Sequence, residues 1–87
     1  MTATKTVQES LLREIKIAGE ALKNLKEKVR FFEQKYNLKT ANFVRSFEKG
    51  KLGDDEDYFI WYSHARAINE WKDRERELKR FLNEIKG

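Results

Sequence analysis

The chain contains neither cysteine nor proline, and only four glycines and a single histidine among its 87 residues. Without cysteine there is no disulfide framework, no thiolate nucleophile and no zinc site of the common cysteine type. Without proline nothing breaks a helix at a fixed point, so long uninterrupted helices are permitted. No apolar run approaches the roughly 20 residues that a membrane span requires, and the N-terminal MTATKTVQES has no apolar segment resembling a signal peptide. These absences point to a soluble, cytoplasmic protein with no membrane partner and no cofactor.

What is present is charge. Asp, Glu, Lys and Arg supply 39% of the residues, a helix-rich mixture rather than a sheet-forming one. Residues 1–52 hold 12 Lys or Arg against 6 acids, and residues 53–87 hold 7 against 9. The two halves therefore have opposite net sign, which suits their packing against one another, within one chain or across a dimer. The chain reads as a single helical hairpin domain, 1–87, with a core small enough that association is a natural expectation.

Apolar residues at Leu11, Ile15, Ala18, Leu22, Leu25, Val29, Phe32 and Tyr36 are separated by 4, 3, 4, 3, 4, 3 and 4 positions. That spacing predicts one long helix, about 6–36, bearing a heptad seam. Thr6 and Glu9 have the form of a capping box at its start. Gly19 interrupts it, marking either the close approach of another helix or a tolerated exposed glycine. Asn37 suits a left-handed exit, Thr40 a cap for a short helix, about 41–49, and Gly50 its termination. Phe43, Val44 and Phe47 form the apolar face of that short helix. A second long helix, about 55–86, follows, with Tyr58, Trp61, Ala65, Ile68, Trp71, Leu78, Leu82 and Ile85 along one stripe. The stripe drifts as a 3.5-residue repeat does, which favours a left-handed supercoil. Its segment KDRERE is polar, and Glu70–Arg74 and Glu75–Lys79 are spaced as i,i+4 ion pairs.

The predicted fold is all-α: two long antiparallel helices joined by a short one, dimerising into a four-helix-bundle-like assembly. The predicted core comprises Leu22, Leu25, Val29, Phe32, Phe43, Phe47, Trp61, Ala65 and Ile68. Nine of the eleven aromatics lie between residues 31 and 62, so the closed end of the hairpin should be its most stable part. Leu12, Ile17, Phe31, Phe59, Tyr62 and Phe81 fall off the seams, and apolar surface of that kind marks association.

GDDEDYFIWY, residues 53–62, offers four acids beside four aromatics. Consecutive acids entering a helix diverge by about 100° and do not converge on a metal. Asp54 or Asp55 as N-cap, with the neighbouring acids opposing the helix dipole, accounts for them. Ser63 and His64 are adjacent on a helix and so cannot form a nucleophile–base pair, and there is no phosphate-binding loop. No catalytic, metal or cofactor-binding residue is assigned. The basic run Lys23, Lys26, Lys28, Arg30, Lys35 and Lys39 would suit phosphates, yet Glu20, Glu27 and Glu33 intervene and no DNA-binding motif is evident. Candidate partner-binding residues are Asp54, Asp55, Asp57, Tyr58, Phe59, Tyr62, Arg66 and Arg74, an acidic rim with aromatic anchors and cations along the same helix.

The stretch from Tyr36 to Trp71 combines F-x-x-x-F (Phe43, Phe47), G-x-L-G-D-D-x-D (Gly50, Leu52, Gly53, Asp54, Asp55, Asp57) and an aromatic run with Phe59 and Trp61. This pattern resembles small helical antitoxins of type II toxin–antitoxin pairs. The resemblance implies sequestration of a cognate toxin, a ribonuclease or other nucleic-acid-directed enzyme, by a homodimer or hetero-oligomer. The chain departs from many such antitoxins in being basic overall and in having no evident DNA-binding domain, though operator DNA is a partner some of them have. A self-associating helical adaptor and a nucleic-acid-binding helical protein are the alternative expectations.

Overall fold

A computed structural model describes residues 2–86. It contains three helices: α1, Thr2–Tyr36; α2, Thr40–Glu48; and α3, Glu56–Lys86. The all-α, long–short–long architecture agrees with the sequence reading. α1 and α3 pack along their lengths and run antiparallel, since Tyr36 meets Tyr58 near one end while Glu14 meets Arg74 further along. The molecule is a rod of 56 × 21 × 17 Å, and α2 packs on α3 at the closed end.

Two helix starts, those of α1 and α2, depart from the sequence reading, and that of α3 agrees with it. α1 begins at Thr2 instead of Thr6. A capping box is a local option, and with no Pro or Gly among residues 2–6 the helix passes through it. α2 begins at Thr40 itself, with Lys39 as an N-cap that makes no side-chain hydrogen bond. Thr40 is therefore not the cap, and the true cap is tertiary, as described below. α3 starts at Glu56 with Asp55 as its N-cap: Asp55 Oδ1 accepts the Asp57 backbone N–H at 2.9 Å. Glu56 and Asp57 lie in the first turn, where the helix dipole favours acids.

Both exits are Schellman-type. Asn37 takes φ 51°, and Leu38 N donates to the Glu33 carbonyl at 3.1 Å. Gly50 takes φ 69°, Gly50 N donates to the Phe47 carbonyl at 3.0 Å, and Lys51 N donates to the Ser46 carbonyl at 3.0 Å. In each case the next apolar residue, Leu38 or Leu52, folds back onto the core. The two turns thus direct α2 against the long helices.

The core is an aromatic stack. The rings of Trp61 and Phe43, both with no exposed surface, lie parallel at 3.8 Å between centroids. Phe32 and Tyr36 stack on Trp61 at 5.7 and 5.9 Å. Leu22, Val29, Ala65 and Ile68 are buried with them, while Leu25 and Phe47 are half-buried against the cluster. Ala18 and Leu82 are buried as well, towards the open end. At the waist between them the α3 stripe is polar. A Cβ added at Gly19 would meet nothing nearer than Glu75 Oε2, at 4.0 Å, so this glycine is tolerated and no helix requires it.

Candidate functional site

One polar node ties the three helices together. Glu33 of α1 points its carboxylate at the start of α2, where Oε2 accepts both the backbone N–H and the hydroxyl of Thr40, each at 2.8 Å. The same Thr40 hydroxyl accepts the Trp61 indole N–H at 3.1 Å. Glu33 thereby performs the capping that Lys39 does not. The Thr40 hydrogen bonds, with Lys39 and Arg30 nearby, outweigh partial burial and hold the Glu33 carboxyl below its ordinary range. A second node joins the long helices. Asp57 Oδ2 accepts from Lys35 Nζ at 2.6 Å and from the Tyr36 hydroxyl at 2.7 Å. Those two donors lower the Asp57 pKa, and the same contact pushes the Tyr36 phenol up to about 12.

The sequence-predicted partner-binding residues do not form one patch. Asp54 is exposed and Asp55 caps α3. Asp57 is engaged by Lys35 and Tyr36, and Tyr58 is half-buried against Tyr36 and Phe43. Phe59, 55% exposed, stands edge-on to Phe47. Tyr62 stacks on Phe47 at 4.6 Å, donates its hydroxyl to Glu48 at 2.7 Å and lies under the Arg66 guanidinium. These three side chains thus sit at the α2–α3 junction. Arg74 lies elsewhere, over the Trp71 ring and 3.6 Å from Glu14 of α1. The expected Glu70–Arg74 pair is replaced by this cross-helix one, because Trp71 holds the guanidinium on the seam side. Glu75–Lys79 is present at 3.9 Å.

A different surface emerges from the exposed apolar side chains. Among the described residues, Val7, Leu12, Ile17, Phe31, Phe59, Ile60 and Phe81 are large, apolar and exposed. Taking Leu22 and Val29 as a positions of α1, Ile17 and Phe31 both fall at c and Val7 at g. Taking Tyr58 and Ala65 as a positions of α3, Ile60 and Phe81 both fall at c. In an antiparallel pair the g and c flanks of the two helices share one side. The observed contacts agree: the g residues Lys35 and Asp57 pair, and Val7, Phe81 and Ile85 line one shallow groove. Five of the seven exposed apolar residues therefore share one face, and half-buried Trp71, Leu78 and Ile85 at g positions lie beside them. α2 covers the other side, where Val44 and Thr40 line a depression with Lys26 and Lys72. The sequence signal for this face was the spacing of Ile17 from Phe31, two heptads, and of Ile60 from Phe81, three.

No group of His, Cys, Asp or Glu suited to a metal occurs among the described residues. His64 has its ring 6.4 Å from that of Phe32, and burial, then Lys28, lower its pKa. Lys23, Lys26 and Arg30 line a groove with Gly19, Glu27 and Glu75, so the basic run splits between this side and the opposite one that carries Lys28 and Lys35. No described helix is long and apolar enough to cross a membrane.

The fold and its surfaces define a class: an all-α helical hairpin plugged on one side by a short helix and bare and apolar on the other. In comparisons with protein-family models, with curated proteins and with solved structures, no match is found.

Proposed function

We propose that the chain is a non-catalytic protein-binding module that works through the uncovered g/c face. One observation carries this reading: five large apolar side chains share a face that no described part of the chain covers, with Phe31 61% exposed and Phe81 50% exposed. Apolar surface gathered on one side of a small domain is the mark of an association site. Covering it with a second pair of helices gives a four-helix-bundle-like assembly. The test is partner capture by the intact chain, compared with Phe31→Asp and Phe81→Asp variants whose helicity is checked by circular dichroism. Loss of binding with retained helicity supports the reading; binding unaffected by both changes refutes it.

The antitoxin role implied by the motif resemblance is one form of this reading, in which the partner is a toxin. Its support lies in the motif alone, and most residues of that motif have structural duties: Phe43 and Trp61 in the core, Gly50 in a turn, Asp55 as a cap and Asp57 in an ion-paired node. Co-expression with the product of the adjacent gene is the discriminating experiment. A stable complex that relieves toxicity supports an antitoxin, and a neighbour without effect on growth removes that form of the reading.

A further inference from the structure

We infer that the partner of the g/c face is a second copy of this chain, packed antiparallel about a two-fold axis that passes by Ala21 and Trp71. This rests on the reading of that face as a binding surface and identifies its occupant. The g positions of α1 are Val7, Glu14, Ala21, Lys28 and Lys35; those of α3 are Asp57, His64, Trp71, Leu78 and Ile85. Lys35 and Asp57 are in contact and so mark one level of the rod. Two heptads back along α1 and two heptads on along α3 lead to Ala21 and Trp71, which therefore share a level at the middle of both rows. A single dyad perpendicular to the rod at that level relates each row to itself.

The charges favour this register. Four of the five charged residues at the g positions and Arg74 pair within the chain, as Lys35 with Asp57 and Glu14 with Arg74. Lys28 is exposed and has no acidic partner among the described salt bridges. The dyad sets Lys28 opposite Glu14 of the other copy, twice, and Glu14 is 44% exposed and held by Arg74 only at 3.6 Å. Complementary charges of this kind fix register. On α3 Ile60 falls opposite Phe81 and His64 opposite Leu78 in both directions; on α1 Ile17 and Phe31 fall opposite Asn24 and Ser10, and the small Ala21 falls on the axis. At the ends Val7 faces Lys35, whose methylene stem can cover it.

The area is sufficient. The rod measures 56 × 21 × 17 Å, so even its narrower side projects to roughly 950 Å², against the ~800 Å² per partner of a stable interface. With α2 on the far side of each hairpin, the layers stack without obstruction and every rod neighbours antiparallel rods, the arrangement of a four-helix bundle.

The experiment uses the full chain, whose lack of cysteine makes single-cysteine variants unambiguous. Sedimentation equilibrium gives the dimer dissociation constant. Glu14→Lys or Lys28→Glu alone should raise it by about tenfold, and the double exchange should restore it to within a few-fold. A short bis-maleimide should couple Ala21→Cys to itself in the dimer and leave Arg66→Cys, on the α2 side, uncoupled. A dimer that couples through Arg66→Cys but not Ala21→Cys, or that shows no rescue on charge exchange, overturns the register. A chain that is monomeric at high concentration overturns self-association. The wider reading of a binding face then stands or falls separately, on whether Phe31→Asp abolishes capture of a different protein.

Discussion

Replacing Thr40 by valine tests whether the Glu33–Thr40–Trp61 node holds the three helices together. Valine shares the β-branching and nearly the shape of threonine, so the χ1 preference is kept and the main loss is the hydroxyl. That hydroxyl donates to Glu33 and accepts from Trp61. A hydrogen bond to a charged group contributes about 1.5–3 kcal/mol, and a buried donor left unpaired costs about 1–3 kcal/mol. Trp61 has no exposed surface, so water does not readily replace the lost acceptor. The Glu33 carboxylate keeps the Thr40 backbone N–H and has some access to solvent, which reduces its share of the loss. The expected destabilisation is about 2–4 kcal/mol. Urea unfolding followed by Trp fluorescence and by far-UV circular dichroism reads it directly. A double-mutant cycle with Trp61→Phe, which removes the indole donor, should give a coupling of about 1 kcal/mol or more. A Thr40→Val loss below about 0.5 kcal/mol, or a cycle additive to within that margin, would mean that the node contributes geometry but not stability.

Trp61→Ala should cost about 3–5 kcal/mol, since it removes the ring on which Phe43, Phe32 and Tyr36 stack; calorimetry on the variant checks it. Gly19→Ala should stabilise by about 0.5–1 kcal/mol and raise the melting temperature by a few degrees, because the added Cβ meets only Glu75 Oε2 at 4.0 Å. A drop in melting temperature would show that some contact there does need glycine. The His64 pKa is lowered by burial and Lys28, so the folded state favours the neutral ring. Stability should be full above about pH 6.5 and should decline as pH falls through that value towards the lower folded pKa. Glu33 and Asp57 are depressed and stay ionised in that window, so His64→Gln should flatten the urea midpoint between pH 7.5 and 5.5. Asp57→Asn should bring the Tyr36 phenol down from about 12, read as an earlier rise in ultraviolet absorbance on alkaline titration.

The fold was legible where local chemistry decides it. The 4–3 spacing of Leu11 to Tyr36 defined α1, the left-handed tendencies of Asn37 and Gly50 marked both exits, and Asp55 announced α3. Burial of Leu22, Val29, Phe32, Phe43, Trp61, Ala65 and Ile68 followed from the same periodicity. The start of α2 was not legible, because its cap is a glutamate from the preceding helix, seven residues upstream of Thr40. Asp57 was read as a surface acid because nothing local reveals that the hairpin brings Lys35 and Tyr36 against it. The uncovered apolar face was not legible for a related reason. Residue type drew attention to the dense aromatic run, whereas the uncovered face is assembled from single residues 14 and 21 positions apart on two helices, and only the pairing of those helices sets them side by side.

This separation has a physical cause. At the closed end most aromatic side chains stack on or beside Trp61 and Phe43, and Asp55 and Asp57 serve in a cap and an ion pair, so much of the most conspicuous motif is already engaged, with Phe59 and Asp54 left exposed. Along the g/c face the opposite holds. Its apolar residues are spread one per turn or fewer and contribute little to the hairpin's own core, which can therefore tolerate their replacement by polar groups. A chain that needed only to fold would lose only the edge contact of Phe31 with Phe32 and that of Phe81 beside Val7 and Ile85 by carrying Lys or Glu there, and would gain solubility. Keeping phenylalanine there, with Phe31 61% exposed, makes sense when the rod is covered along that side, and the internally paired charges beside it lower the cost of covering it.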